Sequence, residues 1–441
     1  MPTPSTRESE QPLAQRPLTG QDARTLALAA LGGALEFYDF IIYVFFTKVI
    51  GQLFFPPDTS DWLSQMQSFG VFAVGYLARP LGGIVMAHFG DRTGRKRMFS
   101  LSVFMMAVPT LLIGLLPTYA TAGYAAPLAL LVLRMLQGAA VGGEVPGAWV
   151  FVSEHVPERR VGFACGTLTA GLTFGILLGS LVATAVNKVY SPQQVQAFAW
   201  RMPFLVGGVF GFLAVFLRRW LAETPVFEEM RKRRALVEEL PVKTVLRGHG
   251  VAVVVSMLLT WVLTAGILVV ILLTPTFMQT LYKIAPAQAL EAGSLGTLSL
   301  TFGCIGFGLC ADRFGTGRML AVGCLAMLVT TYLLYLGVAE APERLAGLYV
   351  LAGLSVGVVG VVPTVMVRAF PAAVRFSGIS FSYNVAYAIF GGLTPLVVTL
   401  MMKTTPLAPA HYVAALCAVG LGVSVYLLSV GRTRSGAVGA L

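Results

Sequence analysis

Charge is what this 441-residue chain has least of. Asp, Glu, Lys and Arg together make up 12% of it, against 56% hydrophobic residues, and the mean hydropathy is +0.78. No soluble globule of this length needs so much apolar sequence, so a water-soluble enzyme or binding module is excluded at the level of composition. Cysteine is scarce too. The five present (Cys165, Cys304, Cys310, Cys324, Cys417) fall in or at the ends of apolar runs with no metal-ligand spacing, and read as small packing residues. The four histidines form no cluster. No nucleophile–base pair and no Gly-rich phosphate loop lies within the apolar runs, which argues against a membrane enzyme or sensor. Residues 1–24 lack the charged segment and short apolar run of a cleaved signal peptide.

What the chain has instead is apolar runs long enough to cross a bilayer. A spanning helix needs about 20 apolar residues, because its backbone polar groups find no water in lipid. Twelve segments meet this, at about 25–54, 62–89, 98–117, 124–153, 161–186, 202–221, 249–280, 290–311, 318–337, 345–368, 376–402 and 408–430. The 48 glycines suit close helix packing in lipid, and those of the fifth span (Gly162, Gly166, Gly171, Gly175, Gly179) read as a packing stripe. The expected fold is an all-α membrane protein of twelve transmembrane helices in two six-helix pseudo-symmetric bundles. Its parts are an N-terminal tail (1–24), a first bundle (25–221), a central loop (222–248), a second bundle (249–430) and a C-terminal tail (431–441).

The duplication shows in two charged turns. Gly90-Asp91-Arg92-Thr93-Gly94-Arg95-Lys96-Arg97 lies between the second and third spans. A weaker copy, Gly308 to Arg318, lies between the eighth and ninth, with Asp312 placed 221 residues after Asp91. Two such halves are the parallel repeat of a transporter. The net charge of +11 is not spread like a nucleic-acid footprint. With both termini cytoplasmic, inside segments hold 23 of the 31 Lys and Arg and outside loops hold six, as the positive-inside rule requires. The run Arg231-Lys232-Arg233-Arg234 then reads as a membrane-surface contact, and no nucleic acid is expected as partner.

Charge inside the spans is costly, about 2.5–3.5 kcal/mol per group on insertion scales, and marks function. Helix 1 carries Glu36 and Asp39 on one face, helix 2 carries Arg79, and helix 4 carries Arg134 and Glu144. Arg79 stands about ten residues before the charged turn, so roughly 15 Å from the cytoplasmic end. The second half offers neutral polar groups instead: Trp261 in helix 7, and Tyr383, Asn384 and Tyr387 in helix 11. The plain alternative is that the charges only pair with one another and fix packing. The functional reading is proton coupling. Burial favours a neutral carboxyl and a nearby arginine favours a charged one, so a small rearrangement switches the acid. Trp261, Tyr383 and Tyr387 would serve an aromatic ring or a quaternary ammonium equally well. In the turns, Asp91 would face the N-terminus of helix 11, and Arg95 would pair with Glu154. With Arg92, Asp312 and Arg313 they form the expected gate, or else the basic residues only set topology.

These pieces resemble the metabolite:proton symporter family of the major facilitator superfamily. The resemblance runs through Glu36-Phe37-Tyr38-Asp39-Phe40, Arg79-Pro80-Leu81-Gly82-Gly83 and the charged turn, then Arg134-Met135-Leu136-Gln137-Gly138 and Gly142-Gly143-Glu144. Glu154-His155 with Arg159-Arg160, Trp200-Arg201-Met202-Pro203-Phe204, Glu223-Thr224-Pro225 and Tyr383-Asn384 with Gly391-Gly392-Leu393-Thr394-Pro395 follow in order. It implies uptake of a small organic solute with protons by alternating access. Family substrates include carboxylates and zwitterions such as proline and betaine. It also implies that Arg134 pairs with a helix-1 acid, and that Arg79 and Arg201 contact substrate carboxylates. Tyr38 and Gln137, within these motifs, join the candidate substrate contacts. The proton-coupling set is Asp39, Glu36, Arg134 and Glu144; the driving force is the proton motive force, with no cofactor and no metal. The setting implied is a monomer in a bacterial inner (plasma) membrane. The rival functions are a proton-independent facilitator or an exporter.

Three departures stand out. Ala87 replaces the glycine that usually opens the charged-turn motif. Pro146 follows Glu144 and is expected to kink helix 4. The second turn has lost much of its basic cluster. The proline-containing glycine motif of drug–proton antiporters is missing from helix 5, and the tail after Leu428 has no heptads.

Overall fold

The computed structural model describes residues 17–83, 95–218, 241–371 and 374–438, and among these every regular element is helical. The spans are α1 (Gly20–Phe45), α2 (Asp61–Leu77, helical on to residue 83), α3 (Arg95–Leu115), α4 (Ala125–His155), α5 (Val161–Val189) and α6 (Met202–Arg218). The second half has α7 (Gly250–Leu281), α8 (Pro286–Phe314), α9 (Thr316–Glu340), α10 (Pro342–Ala369), α11 (Arg375–Met401) and α12 (Ala408–Val438). Among the described residues nine of these are long and apolar enough to cross a membrane by length and composition. The other three, α2, α3 and α6, each adjoin a segment outside the described residues. The chain is an all-α protein with the twelve-helix arrangement read from its hydropathy.

The halves meet along two seams, α5 with α8 and α2 with α11. Small residues make both seams close. A Cβ on Gly166 would lie 2.6 Å from the Cys304 carbonyl, and one on Gly308 would lie 2.5 Å from the Gly162 carbonyl. The lower glycines of α5 thus face α8, while Gly171 and Gly175 face Ala30 and Ala34 of α1. Apolar groups cannot drive helices together in lipid, so this backbone approach supplies dispersion contact in place of the hydrophobic effect.

Helix α4 is interrupted at Gly143, as the proline predicts. Pro146 has no N–H to give Gly142, four residues back, and its ring crowds that carbonyl. The freed Gly142 oxygen instead accepts from Asn384 Nδ2 of α11. Helices α7 and α11 each contain a widened π-type stretch, at Ala265–Leu273 and Tyr387–Gly391. Such turns shift register along a helix and recur at functional sites.

Candidate functional site

Two buried arginines organise the centre. Arg134 of α4 is fully buried. Its Nη1 donates to the Phe40 carbonyl (3.1 Å) and to Gln137 Oε1 (2.8 Å). Its guanidinium lies over the rings of Phe40 (4.5 Å), Tyr43 (4.6 Å) and Phe72 (5.3 Å). The ion pair implied between Arg134 and a helix-1 acid is not made: among the described residues no salt bridge joins it to Asp39 or Glu36. The reason is direction. The Asp39 carboxyl is turned toward α6, against Gly207 and Gly211, while Arg134 approaches α1 at the Phe40 carbonyl.

Arg79 of α2 is the second centre, and it joins the halves. Its guanidinium sits 4.5 Å from the ring centre of Tyr387, 5.2 Å from Tyr383 and 5.5 Å from Tyr76. The Tyr76 and Tyr387 rings stack at 5.4 Å, and Trp149 closes on Tyr383 edge-on at 4.9 Å. A cation in such an aromatic box is held by the ring quadrupoles. Nε and Nη2 of both arginines have no hydrogen-bond partner among the described residues. Donors of this kind suit a planar carboxylate, which takes two parallel N–H bonds. Arg79 is buried, which excludes snorkelling to the membrane surface as its role.

Tyr383 and Tyr387 therefore sit with Arg79 and Gln137 with Arg134, while Asn384, next to Tyr383, is bonded to the Gly142 carbonyl. Three expected substrate contacts are elsewhere. Tyr38 points into the first bundle, donating to the Pro203 carbonyl (2.8 Å) and packing edge-on to Phe210. Trp261 donates to the Tyr412 hydroxyl (3.0 Å) and stacks on Phe390 (4.1 Å), facing α12 rather than the arginines. Arg201 lies over Trp200 (4.5 Å) and bonds the Gly114 (2.9 Å) and Leu116 (2.7 Å) carbonyls. It caps the end of α3, whose last carbonyls have no helical partner. The long reach of all three side chains satisfies groups in neighbouring helices, which spacing along the sequence does not reveal. Glu36 and Glu144 are both buried, Glu144 at the start of the lower segment of α4.

Both ends of the seams are tied. At the end where α1 begins and α8 finishes, Asp312 accepts from the backbone N–H groups of Gly162 (2.7 Å) and Phe163 (2.8 Å), capping the start of α5. An anion is favoured there by the helix dipole. Glu154 of α4 pairs with Arg375 of α11 at 3.4 Å. Arg313 extends over the Phe314 ring (5.5 Å). The degraded second turn thus retains the acid that bridges the halves. Asp91, Arg92 and Ala87 lie outside the described residues, as does the side chain of Arg95. At the opposite end Ser180 meets Ser294 (2.8 Å), Lys188 meets Glu291 (2.8 Å), and Lys403 lies over Trp62 (3.6 Å). Sequence reasoning missed Tyr43, Tyr76, Trp149 and Arg375. Tyr76 had a signal, since it stands three residues before Arg79 on the same helix face.

A family model described as Major Facilitator Superfamily matches residues 29–395. The chain belongs to this superfamily. It is a multi-pass membrane transporter of that group, not an enzyme. Among similar proteins is a citrate-proton symporter of Klebsiella pneumoniae, 31% identical over 90% of this chain and 89% of its own length. Another is a putative proline/betaine transporter of Staphylococcus aureus (strain COL), 30% identical over 92% of this chain and 88% of its own. A third is the glycine betaine/proline/ectoine/pipecolic acid transporter OusA of Dickeya dadantii, 29% identical over 92% and 83%. These relatives agree with the metabolite:proton symporter resemblance. The partially occluded inward-open xylose transporter XylE from E. coli has the same fold, at a TM-score of 0.73 and 17% identity over 93% of this chain and 98% of its own.

Proposed function

We propose that the chain couples proton entry to uptake of a small organic solute bearing a carboxylate, by alternating access. The carrying observation is the pair of buried arginines whose Nε and Nη2 have no hydrogen-bond partner among the described residues, in the same half as a buried helix-1 acid. Arg134 and Arg79 receive the carboxylate, with Asn384 and Gln137 as neutral partners. Asp39 carries the proton, with Glu36 and Glu144 as further acids of the same half. Asp91, Arg92 and Arg95, with Glu154, Asp312 and Arg313, form the gate at the cytoplasmic end. The proton motive force supplies the driving energy and no cofactor takes part. The two bundles (25–221 and 249–430) rock about the central loop (222–248), with both tails (1–24 and 431–441) cytoplasmic. The setting is a bacterial inner (plasma) membrane, the unit a monomer, and nucleic acid is no partner. The relative named a citrate-proton symporter favours the carboxylate reading.

A second reading is a zwitterion with a quaternary ammonium, such as glycine betaine. The tyrosine box around Arg79 favours it, because aromatic faces recognise such cations. Proteoliposomes decide between them. Addition of citrate or of glycine betaine without an imposed gradient is expected to make the external medium alkaline. Uptake of either probe with no pH change, and with no effect of an uncoupler, would instead identify a proton-independent facilitator.

A further inference from the structure

The Asp39 carboxyl is 1% exposed, and neither oxygen has a hydrogen-bond partner among the described residues. It lies in a slot that helix α6 leaves open with two glycines. A Cβ on Gly207 would lie 2.7 Å from Asp39 Oδ1, and one on Gly211 would lie 2.9 Å from Oδ2. The same Gly207 position is 2.8 Å from the Cγ2 methyl of Thr110 on α3. Asp39 and Thr110 thus face each other across the space of one missing methyl group.

Thr110 is also the end of a polar chain. Arg134 Nη1 donates to Gln137 Oε1 (2.8 Å), Gln137 Nε2 donates to Thr110 Oγ1 (2.7 Å), and the Thr110 hydroxyl donates to the Met106 carbonyl (2.9 Å). A helical threonine divides between two χ1 positions because its hydroxyl can bond the carbonyl one turn back. A rotation about χ1 that puts the hydroxyl where the methyl now lies would set it next to Asp39. The same move takes from Gln137 its acceptor and loosens its hold on Arg134.

We propose that Thr110 is a positioning residue, a two-position switch that with Gln137 links the protonation of Asp39 to the freedom of Arg134. With Asp39 neutral, Thr110 rests on Met106 and Gln137 holds Arg134. With Asp39 ionised, the hydroxyl turns to the carboxylate, because a charged acceptor outbids a neutral carbonyl. Gln137 is then a link in the coupling path as well as a neutral partner of the solute. Among the described residues the other groups around Asp39 are few. Arg134 of α4 bonds the neighbouring Phe40 carbonyl, Tyr38 is adjacent but bonded to Pro203, and Glu36 lies one turn earlier on α1. Helix α3 presents Ala107 and Thr110, helix α6 presents Gly207 and Gly211, and Arg201 is tied to the end of α3.

The switch rests on the proposed proton role of Asp39, and one experiment separates the two. Infrared difference spectra of the full-length protein in liposomes are recorded across a pH titration, with no substrate added. A protonated-carboxyl band that disappears in Asp39→Asn assigns the acid; if no band disappears, the proton role fails and the switch with it. Given that band, Thr110→Val and Thr110→Ala are expected to displace its midpoint by about one pH unit or more, while Thr110→Ser stays near the wild type. Wild-type titration in both Val and Ala variants would overturn the switch and leave Asp39 standing. A merely structural role for Thr110 would change melting temperature without moving that midpoint.

Discussion

At the scale of single residues, the site is a contrast between the buried acid Asp39 and two arginines cushioned by aromatic rings. Neither oxygen of Asp39 has a hydrogen-bond partner among the described residues. Asp39→Asn is therefore expected to abolish concentrative uptake while leaving substrate exchange across the membrane, read by counterflow in proteoliposomes; full concentrative uptake would remove Asp39 from the mechanism. The arginines are planar donors in tight surroundings, and lysine offers only a point charge. Arg134→Lys and Arg79→Lys are each expected to lower uptake at least about tenfold, the loss of one good charged bond. The tyrosine box separates the two solute classes. Loss of a cation–π contact costs ~0.5–2 kcal/mol. Tyr387→Leu should therefore weaken glycine betaine more than citrate if the box takes the ammonium, and both alike if it only holds Arg79. Binding of each probe to the purified variants measures this directly.

At the scale of elements, the break in α4 is the clearest case of local sequence creating a tertiary need. Pro146 orphans the Gly142 carbonyl, and Asn384 of the other half answers it. A buried carbonyl left unpaired costs ~1–3 kcal/mol. Asn384→Leu should thus lower the melting temperature, and adding Pro146→Ala should restore part of the loss by giving Gly142 an N–H within its own helix. Strict additivity of the two substitutions would show that they do not share that carbonyl. The helices themselves were legible in the sequence, because apolar length suffices in lipid. The Pro146 kink was legible too. Its partner was not, since Asn384 lies 242 positions away and nothing local points to it. The same limit explains Tyr38, Trp261 and Arg201. Each is a polar tip on a long side chain, and its partner is a carbonyl or hydroxyl that any neighbouring helix supplies.

At the scale of the whole molecule, both ends are held by contacts between the halves. Hydroxyls, an ion pair and a cation over a ring tie one end. Backbone N–H groups capped by Asp312, and the Glu154–Arg375 pair, tie the other. Alternating access requires each set to break in turn. The Ser180 and Ser294 hydroxyls are 2.8 Å apart, so a Ser180→Cys/Ser294→Cys pair should cross-link on oxidation and stop uptake, with recovery on reduction. Unchanged uptake by the cross-linked protein would mean that this end does not open. At the other end, Asp312→Asn keeps the shape but loses the charge at the start of α5, worth ~0.3–1 kcal/mol. Faster maleimide labelling of the buried Cys165 and Cys304 is the expected sign of its loosening.

The sequence by itself determined that this is a membrane protein of two repeated halves, with its ionic chemistry in the first. Composition, span length and the paired charged turns are one-dimensional signals, and lipid permits few ways to satisfy a backbone. Which acid, arginine and ring face one another was decided only in three dimensions. Helix rotation sets those directions, and it is fixed by glycines and small residues meeting across helices. That is why Asp39 turns to Gly207 and Gly211 instead of to Arg134. It is also why Arg79 finds its rings on both halves, and why the depleted turn at Asp312 still caps a helix.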